Sequence, residues 1–171
     1  SSDLLERLIY LICGEDSEKT KELMEELKTT GKYTITLEMK EKLADFAAGY
    51  STEEETAESI HDTYQKTGYV MDTHTAVAAH VCGQYRAKSG DQTKCVIAST
   101  ASPYKFVKSV MSAIDAENAN ADEFDLLPKL QEVSGVPMPQ AIKDILDAKV
   151  LHDLECDADK MKDTVKGILG V

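Results

Sequence analysis

The sequence predicts an α/β fold that is rich in helix and contains a few short strands, which we expect to be parallel. Helical spacing of apolar residues recurs along most of the chain, whereas only about three segments are strand candidates, fewer than the roughly 4–6 strands of a usual sheet. Two of these segments are each followed at once by a capping residue and a helix, which is typical of a parallel sheet. The small number of strands suggests a sheet completed by another segment.

Glycine stops and apolar spacing predict the first two helices. The segment Asp3 to Cys13 is apolar around most of its circumference and stops at Gly14. We expect this helix to be buried on several sides, and its abrupt start suggests that a segment precedes it. Ser17 is predicted to cap a second, amphipathic helix that reaches Gly31.

A short strand and two further helices are predicted next. Tyr33 to Leu37 alternates with threonines as a strand does, and helical spacing returns from Glu38. Ser51 and Glu54 are three residues apart and predict a capping box, which opens a helix that stops at Gly68.

The two strand–helix units occupy the middle of the chain. The first strand candidate is Tyr69 to Met71, with Asp72 as the cap of the helix that follows. The second is Cys95 to Ala98, with Ser102 as the cap and Pro103 at the first helical position, where proline is favoured.

The last third of the chain is predicted to contain three helices joined by connections. Ala116 to Ala121 reads as a connection, and a rigid proline-containing turn spans Val136 to Pro139. The predicted helices are Phe124 to Val133, which is interrupted by Pro128 and followed by a stop at Gly135, Ala141 to Ala148, and the final pattern of Met161, Val165, Ile168 and Leu169.

Composition limits the class of protein. The 171 residues fit one ordinary domain, and 42% hydrophobic with 29% charged residues gives a packed core rather than a disordered chain. A formal charge of −12 opposes binding to nucleic acid or to an anionic membrane surface. Because the apolar runs are short and bracketed by charges, we expect a cytoplasmic protein without a membrane span.

The four cysteines, Cys13, Cys82, Cys95 and Cys156, stand alone in sequence. No Cys-x-x-Cys pair or zinc-type spacing occurs. We expect buried, reduced thiols.

Two polar corners follow the strand candidates, where open α/β sheets usually bind ligands. One is Asp72-Thr73-His74-Thr75, although Asp72 also suits a plain helix cap. The other is Ser99-Thr100-Ala101-Ser102-Pro103, whose hydroxyls and helix start suit an anion or a heterocyclic nitrogen. The alternative for this corner is a plain turn capped by Ser102.

Four segments in this order resemble threonine synthase, in the form found in fungi and many bacteria. They are Ser1 to Arg7, Gly68 to Val77 (GYVMDTHTAV), Val96 to Phe106 (VIASTASPYKF) and Gly135 to Pro139 (GVPMP), and the resemblance covers essentially the whole chain. The chain departs from the family at Asp3 (usually Asn), Thr73 (commonly Pro) and Ser102-Pro103-Tyr104 (more often His-Pro-Ala).

The resemblance implies the C-terminal part, residues 1–171, of a fold-type-II pyridoxal-phosphate enzyme. Such an enzyme converts O-phosphohomoserine and water into threonine and phosphate, with the cofactor as the electron sink. The Schiff-base lysine of the family lies upstream in a Ser-Phe-Lys type motif, which this sequence lacks. We therefore expect no catalytic residue within these 171 residues, an N-terminal portion of the same chain as partner, and no activity without it.

The resemblance also implies the cofactor-binding residues. Thr100 stands at the position of a hydroxyl bonded to the pyridine nitrogen, with Ser99 as its neighbour, and the corner of Asp72, His74 and Thr75 approaches the cofactor ring. No metal is expected. Two alternatives stay open: an independent acidic interaction module that docks through its first helix, and another fold-type-II enzyme such as a dehydratase or sulfhydrylase.

Overall fold

A computed structural model describes residues 2–151 and 153–171 of the chain, and Ser1 of the first resembling segment lies outside them. The described residues form nine α-helices and three short 3-10 helices. The α-helices are α1 (Ser2–Ile12), α2 (Ser17–Thr30), α3 (Leu37–Glu41), α4 (Glu53–Thr67), α5 (Thr73–Ser89), α6 (Val107–Ile114), α7 (Glu123–Ser134), α8 (Gln140–Leu146) and α9 (Met161–Leu169). The 3-10 helices are Pro103–Phe106, Ala116–Asn120 and Ala158–Lys160.

The described residues divide into two compact units. The first unit contains the described residues up to Ser59 together with His74–Thr100, and the second contains Ile60–Thr73 with the described part of Ala101–Val171. The helix-rich character predicted from the sequence is confirmed.

The predicted strands are wrong for the described residues, in which no β-strand forms. The three candidates, Tyr33 to Leu37, Tyr69 to Met71 and Cys95 to Ala98, lie outside the regular helices except for Leu37, which begins α3. A strand is defined by backbone hydrogen bonds to a neighbouring strand, and none of the three pairs with another described segment. Their apolar, β-branched composition favours extended backbone but does not supply that neighbour.

The first unit is built around a small apolar cluster. Its buried members are Ile9, Ile12, Leu23 and Met39, which α1, α2 and α3 contribute. The ammonium group of Lys42 donates to the carbonyl of Ile12 at 3.2 Å and satisfies one orphan acceptor at the end of α1.

Helix α1 buries only one face, contrary to the expectation that it would be covered on several sides. It packs against α2 through the side of Ile9 and Ile12. On its other sides Leu4 is 63% and Leu11 59% exposed.

Helix ends follow local signals closely. Gly31 closes α2 with a φ of 76°, a left-handed conformation that glycine adopts without a steric penalty. Two of the predicted N-terminal caps, those of α2 and α4, are displaced by one residue. Asp16 rather than Ser17 caps α2, and the capping box that opens α4 pairs Thr52 with Glu55.

The capping box holds the start of α4 through two reciprocal hydrogen bonds. The backbone N–H of Thr52 donates to Oε2 of Glu55 at 2.7 Å, and the N–H of Glu55 donates to the Thr52 hydroxyl at 3.2 Å. The bond from the Thr52 backbone is the main reason that the pKa of Glu55 lies below its ordinary value. The second carboxylate oxygen of Glu55 lies 3.5 Å from Nε2 of His80 on α5.

The second unit has its core where α6 packs against α7. Val110, Leu126 and Leu130 are completely buried there. Helix α7 is continuous through Pro128, so the predicted interruption is wrong. Proline removes one backbone donor, and the carbonyl of Phe124 that loses its partner belongs to a residue that is 59% exposed, where water can replace the bond.

Two side chains of the second unit fix the proline-containing turn. Tyr104 is buried and is the second residue of the 3-10 helix Pro103–Phe106. Its hydroxyl donates to the carbonyl of Val136 at 2.6 Å. The side-chain oxygen of Gln131 accepts from the backbone N–H of Met138 at 2.9 Å. Pro103 itself occupies the predicted first helical position, and Ser102 caps the helix.

No helix among residues 2–151 and 153–171 is both long and apolar enough to cross a membrane.

Candidate functional site

A hydroxyl pair within the first unit links one residue of each predicted polar corner. Thr75 lies in the first turn of α5 and is buried, and its hydroxyl donates to the hydroxyl of Ser99 at 2.9 Å. Ser99 itself is exposed. Two hydroxyls that are 24 positions apart in sequence are therefore held at one place.

Thr100 and His74 flank this pair along the chain. Thr100 directly follows Ser99 and is exposed, as is His74, which directly precedes Thr75. Four of the five predicted site residues thus belong to one unit, on two short stretches joined by a hydrogen bond. His74 is exposed and Thr75 is buried because adjacent residues of a helix point in different directions.

Asp72, the fifth predicted residue, belongs to the second unit and directly precedes the first residue of α5. Its side chain is only 1% exposed. No buried side-chain polar atom among the described residues lacks a hydrogen-bond partner, so burial of this carboxylate is compensated. Its position before α5 matches the helix-cap alternative.

Three side-chain contacts tie α5 to the segment that leads to Ser99. Near the C-terminal end of the helix, the guanidinium of Arg86 donates to the carbonyl of Thr93. One turn earlier Sγ of Cys82 lies 3.0 Å from Sγ of Cys95, and the Thr75–Ser99 pair is near the N-terminal end. The segment therefore runs back along the helix that precedes it, and contacts with α5 side chains hold it there.

The sequence does not indicate the two contacts at Arg86 and Cys82. Each links residues 7 or more positions apart, and no pattern of spacing indicates such a pair. The expectation of buried thiols is also wrong, because Cys95 and Cys156 are exposed and Cys13 and Cys82 are only partly buried. No group of three or more metal-ligating side chains occurs in the described part of the chain.

Comparison with known proteins identifies the family. The sequence model described as "Threonine synthase, C-terminal" matches residues 75–165, which is more than half of the chain. The chain belongs to the threonine synthase family. The resemblance stated from the sequence is thereby confirmed.

Relatives in three kingdoms support the threonine synthase family. The chain is 31% identical to human "Threonine synthase-like 1" over 137 residues, covering 80% of this chain and 18% of that protein. It is 32% identical to the threonine synthase of Saccharomyces cerevisiae over 129 residues, or 70% of this chain and 25% of that one. A crystal structure of PLP-bound threonine synthase from Brucella melitensis matches with a TM-score of 0.53 and 29% identity, over 84% of this chain and 26% of that one.

The chain spans about a fifth to a quarter of the length of these threonine synthase relatives. The family match begins at Thr75, so it includes Thr75, Ser99 and Thr100 and leaves out Asp72 and His74. The hydroxyl pair and its neighbour therefore lie in the part of the chain that the family model covers.

Proposed function

We propose that this chain supplies the C-terminal part of a threonine synthase that uses pyridoxal phosphate to convert O-phosphohomoserine and water into threonine and phosphate. The observation that supports this most is the hydrogen bond between the hydroxyls of Thr75 and Ser99. It joins one residue from each of the two corners that the family resemblance assigns to the cofactor. The PLP-bound relative from Brucella gives the proposal its cofactor.

The donor set fits the pyridine ring of this cofactor. Thr75, Ser99 and Thr100 offer three neutral hydroxyls, each of which can donate or accept a hydrogen bond. A ring nitrogen that meets a neutral hydroxyl is not held in its protonated form, since only a carboxylate would stabilise that extra positive charge firmly. The exposed hydroxyl of Thr100 has the chemistry that the ring nitrogen requires.

Each residue has a distinct task in this proposal. When bound, pyridoxal phosphate acts as the electron sink of the reaction. Thr100 hydrogen-bonds the ring nitrogen, while Thr75, buried at the start of α5, holds Ser99 and thereby orients the backbone just before Thr100. The family resemblance also assigns His74 and Asp72 to the cofactor, and we give neither a proton-transfer step.

Activity requires residues that this sequence does not contain. No lysine among the 171 residues lies in a Ser-Phe-Lys type motif, so the lysine that carries the cofactor must come from another segment. We expect the 171 residues alone to be inactive with O-phosphohomoserine.

Substitution of Thr100 in the complete enzyme tests the assignment. Thr100→Val keeps the branched shape and removes the hydroxyl, so we expect altered cofactor absorbance and about a tenfold fall in kcat/KM, the equivalent of one hydrogen bond. Thr100→Ser retains the hydroxyl and should keep the parent spectrum. Thr34→Val removes an exposed threonine hydroxyl outside both corners and serves as the matched control.

An unchanged spectrum and rate in Thr100→Val, with correct folding, would exclude Thr100 as the ring-nitrogen partner. The source gene decides between the enzyme and the independent interaction module. A reading frame that continues upstream of Ser1 through a Ser-Phe-Lys motif supports the enzyme, whereas a start codon and regulatory region immediately upstream support the module.

A further inference from the structure

Cys82 and Cys95 form a close thiol pair in the first unit. Cys82 is partly buried on α5, Cys95 is exposed on the segment that runs back along this helix, and their sulfur atoms are 3.0 Å apart. A disulfide bond is about 2.05 Å long, so the two sulfurs need to approach by only about 1 Å. The pair is held in place from both sides by the Arg86–Thr93 and Thr75–Ser99 contacts.

The two thiols differ in exposure, and the surroundings of Cys82 favour its protonated form. The S–H of Cys82 donates to Cys95, and this hydrogen bond, followed by desolvation, raises the pKa of the Cys82 thiol, although nearby Arg86 opposes the change. Cys95 is the sulfur that solvent and small oxidants reach.

We infer that Cys82 and Cys95 are a modification site, at which hydrogen peroxide oxidises the two thiols to an intramolecular disulfide. This inference stands on the geometry of the pair and is independent of the proposed enzymatic function. Cytoplasmic disulfides in most organisms are transient and redox-sensing, and a pair of adjacent thiols suits that use.

The chemistry proceeds in two balanced steps. The Cys95 thiol first loses its proton, and the thiolate attacks one oxygen of hydrogen peroxide. The O–O bond breaks, Cys95 sulfenic acid forms, and the released hydroxide takes up the proton as water. The sulfur of Cys82 then attacks the Cys95 sulfur, its proton joins the departing hydroxyl group, and the S–S bond forms. Two thiols and one peroxide thus give one disulfide and two waters.

The disulfide closes a short loop in the chain. It links the middle of α5 covalently to the segment that leads to Ser99 and Thr100, which side-chain contacts hold against the helix in the reduced protein. Oxidation by peroxide therefore fixes this segment against the helix. Reduction by a thiol such as dithiothreitol releases it.

Peptide mapping tests the modification directly. Trypsin places Cys82 in residues 67–86 and Cys95 in residues 95–105, separate from the peptides of Cys13 and Cys156. The complete protein is treated with about one equivalent of hydrogen peroxide, blocked with N-ethylmaleimide and digested. We expect 67–86 linked to 95–105, with the mass lowered by two hydrogens and the link removed by dithiothreitol.

Serine variants identify the order of the two steps. Cys82→Ser should leave Cys95 as sulfenic acid, which dimedone traps, whereas Cys95→Ser should abolish the link without trapping of Cys82. Cys156→Ser removes another exposed cysteine and should leave the link unchanged, which makes it the matched control. Protein unfolded in urea should lose the selectivity for this pair.

Recovery of both peptides as separate maleimide adducts from oxidised native protein would overturn the inference. Preferential linkage of Cys95 to any cysteine other than Cys82 would do the same. Both outcomes are read from the protein without substitutions, so they do not depend on whether a variant folds.

Discussion

The apolar residues of helices α6 and α7 differ in burial from those of the C-terminal helices α8 and α9 of the same unit. Where α6 packs on α7, Val110, Leu126 and Leu130 are fully buried. In the C-terminal stretch, apolar side chains of equal size are largely exposed: Ile145 62%, Leu151 80%, Leu154 66%, Ile168 64% and Leu169 69%. Helical spacing of apolar residues predicts the helices in both stretches. Those apolar residues are buried only where α6 packs on α7.

This difference separates two causes of structure. A helix is specified locally, by spacing, caps and stops, whereas burial depends on what lies opposite its apolar face. In α6 and α7 the two faces meet each other. In α9 the face of Met161, Val165 and Ile168 is exposed, so its apolar pattern adds little to the stability of these residues taken alone.

The largest expected effect comes from shortening a leucine in the buried stretch. Leu130→Ala should lower the free energy of unfolding by about 2–5 kcal/mol, because it removes buried methyl groups and leaves a cavity. Leu169→Ala, the same change on an exposed face, should alter it by no more than about 0.5 kcal/mol. Urea denaturation of the two variants measures both values, and equal losses would contradict the contrast between α7 and α9.

A smaller effect is expected where the buried stretch holds the proline-containing turn. Tyr104→Phe removes the hydroxyl that donates to the Val136 carbonyl, and we expect a loss of about 1 kcal/mol, because Val136 is half exposed and water can replace the donor. Tyr69→Phe, at a tyrosine that is 54% exposed, is the matched control. If the two variants have the same stability, the Tyr104 hydroxyl does not hold the turn.

The smallest effect is a pH dependence at the same tyrosine. Burial raises the pKa of the Tyr104 phenol above its ordinary value, while the Ser134 side chain opposes this. The unfolded chain therefore releases this proton first, and stability present below pH about 10 falls as the pH rises above it. Urea midpoints should decline less steeply with alkaline pH in Tyr104→Phe than in the parent, and parallel declines would show that Tyr104 does not contribute.

The sequence predicted most helix ends well and a few wrongly by one residue. Gly31 and Gly135 end α2 and α7 as expected, because a left-handed residue is a strictly local requirement. The capping box forms at Thr52 and not at Ser51, although these two adjacent hydroxyl residues provide the same sequence signal. Which of the two residues caps α4 depends on the residue at which the first helical turn begins.

The candidate site could be predicted only in pieces. Resemblance to a family supplied Thr75, Ser99 and Thr100, but no local rule indicates that the first two share a hydrogen bond. The strand predictions are wrong for the same reason, because extended residues form a strand only when they pair with a neighbouring strand. Contacts between distant residues, including that of Cys82 with Cys95, come from how the chain folds back on itself.

A fixed position and slow exchange of amide hydrogens usually occur together, but we do not expect both in the segment from Thr93 to Ser99. Contacts with the α5 side chains of Arg86, Cys82 and Thr75 hold it against the helix, yet these described residues form no sheet ladder that would shield their amide hydrogens from water. Protection from hydrogen exchange depends on such backbone bonds. We therefore expect the amide hydrogens of this segment to exchange fast although its position is fixed. If a neighbouring strand paired with the segment, this exchange would slow, and the segment would not need to move.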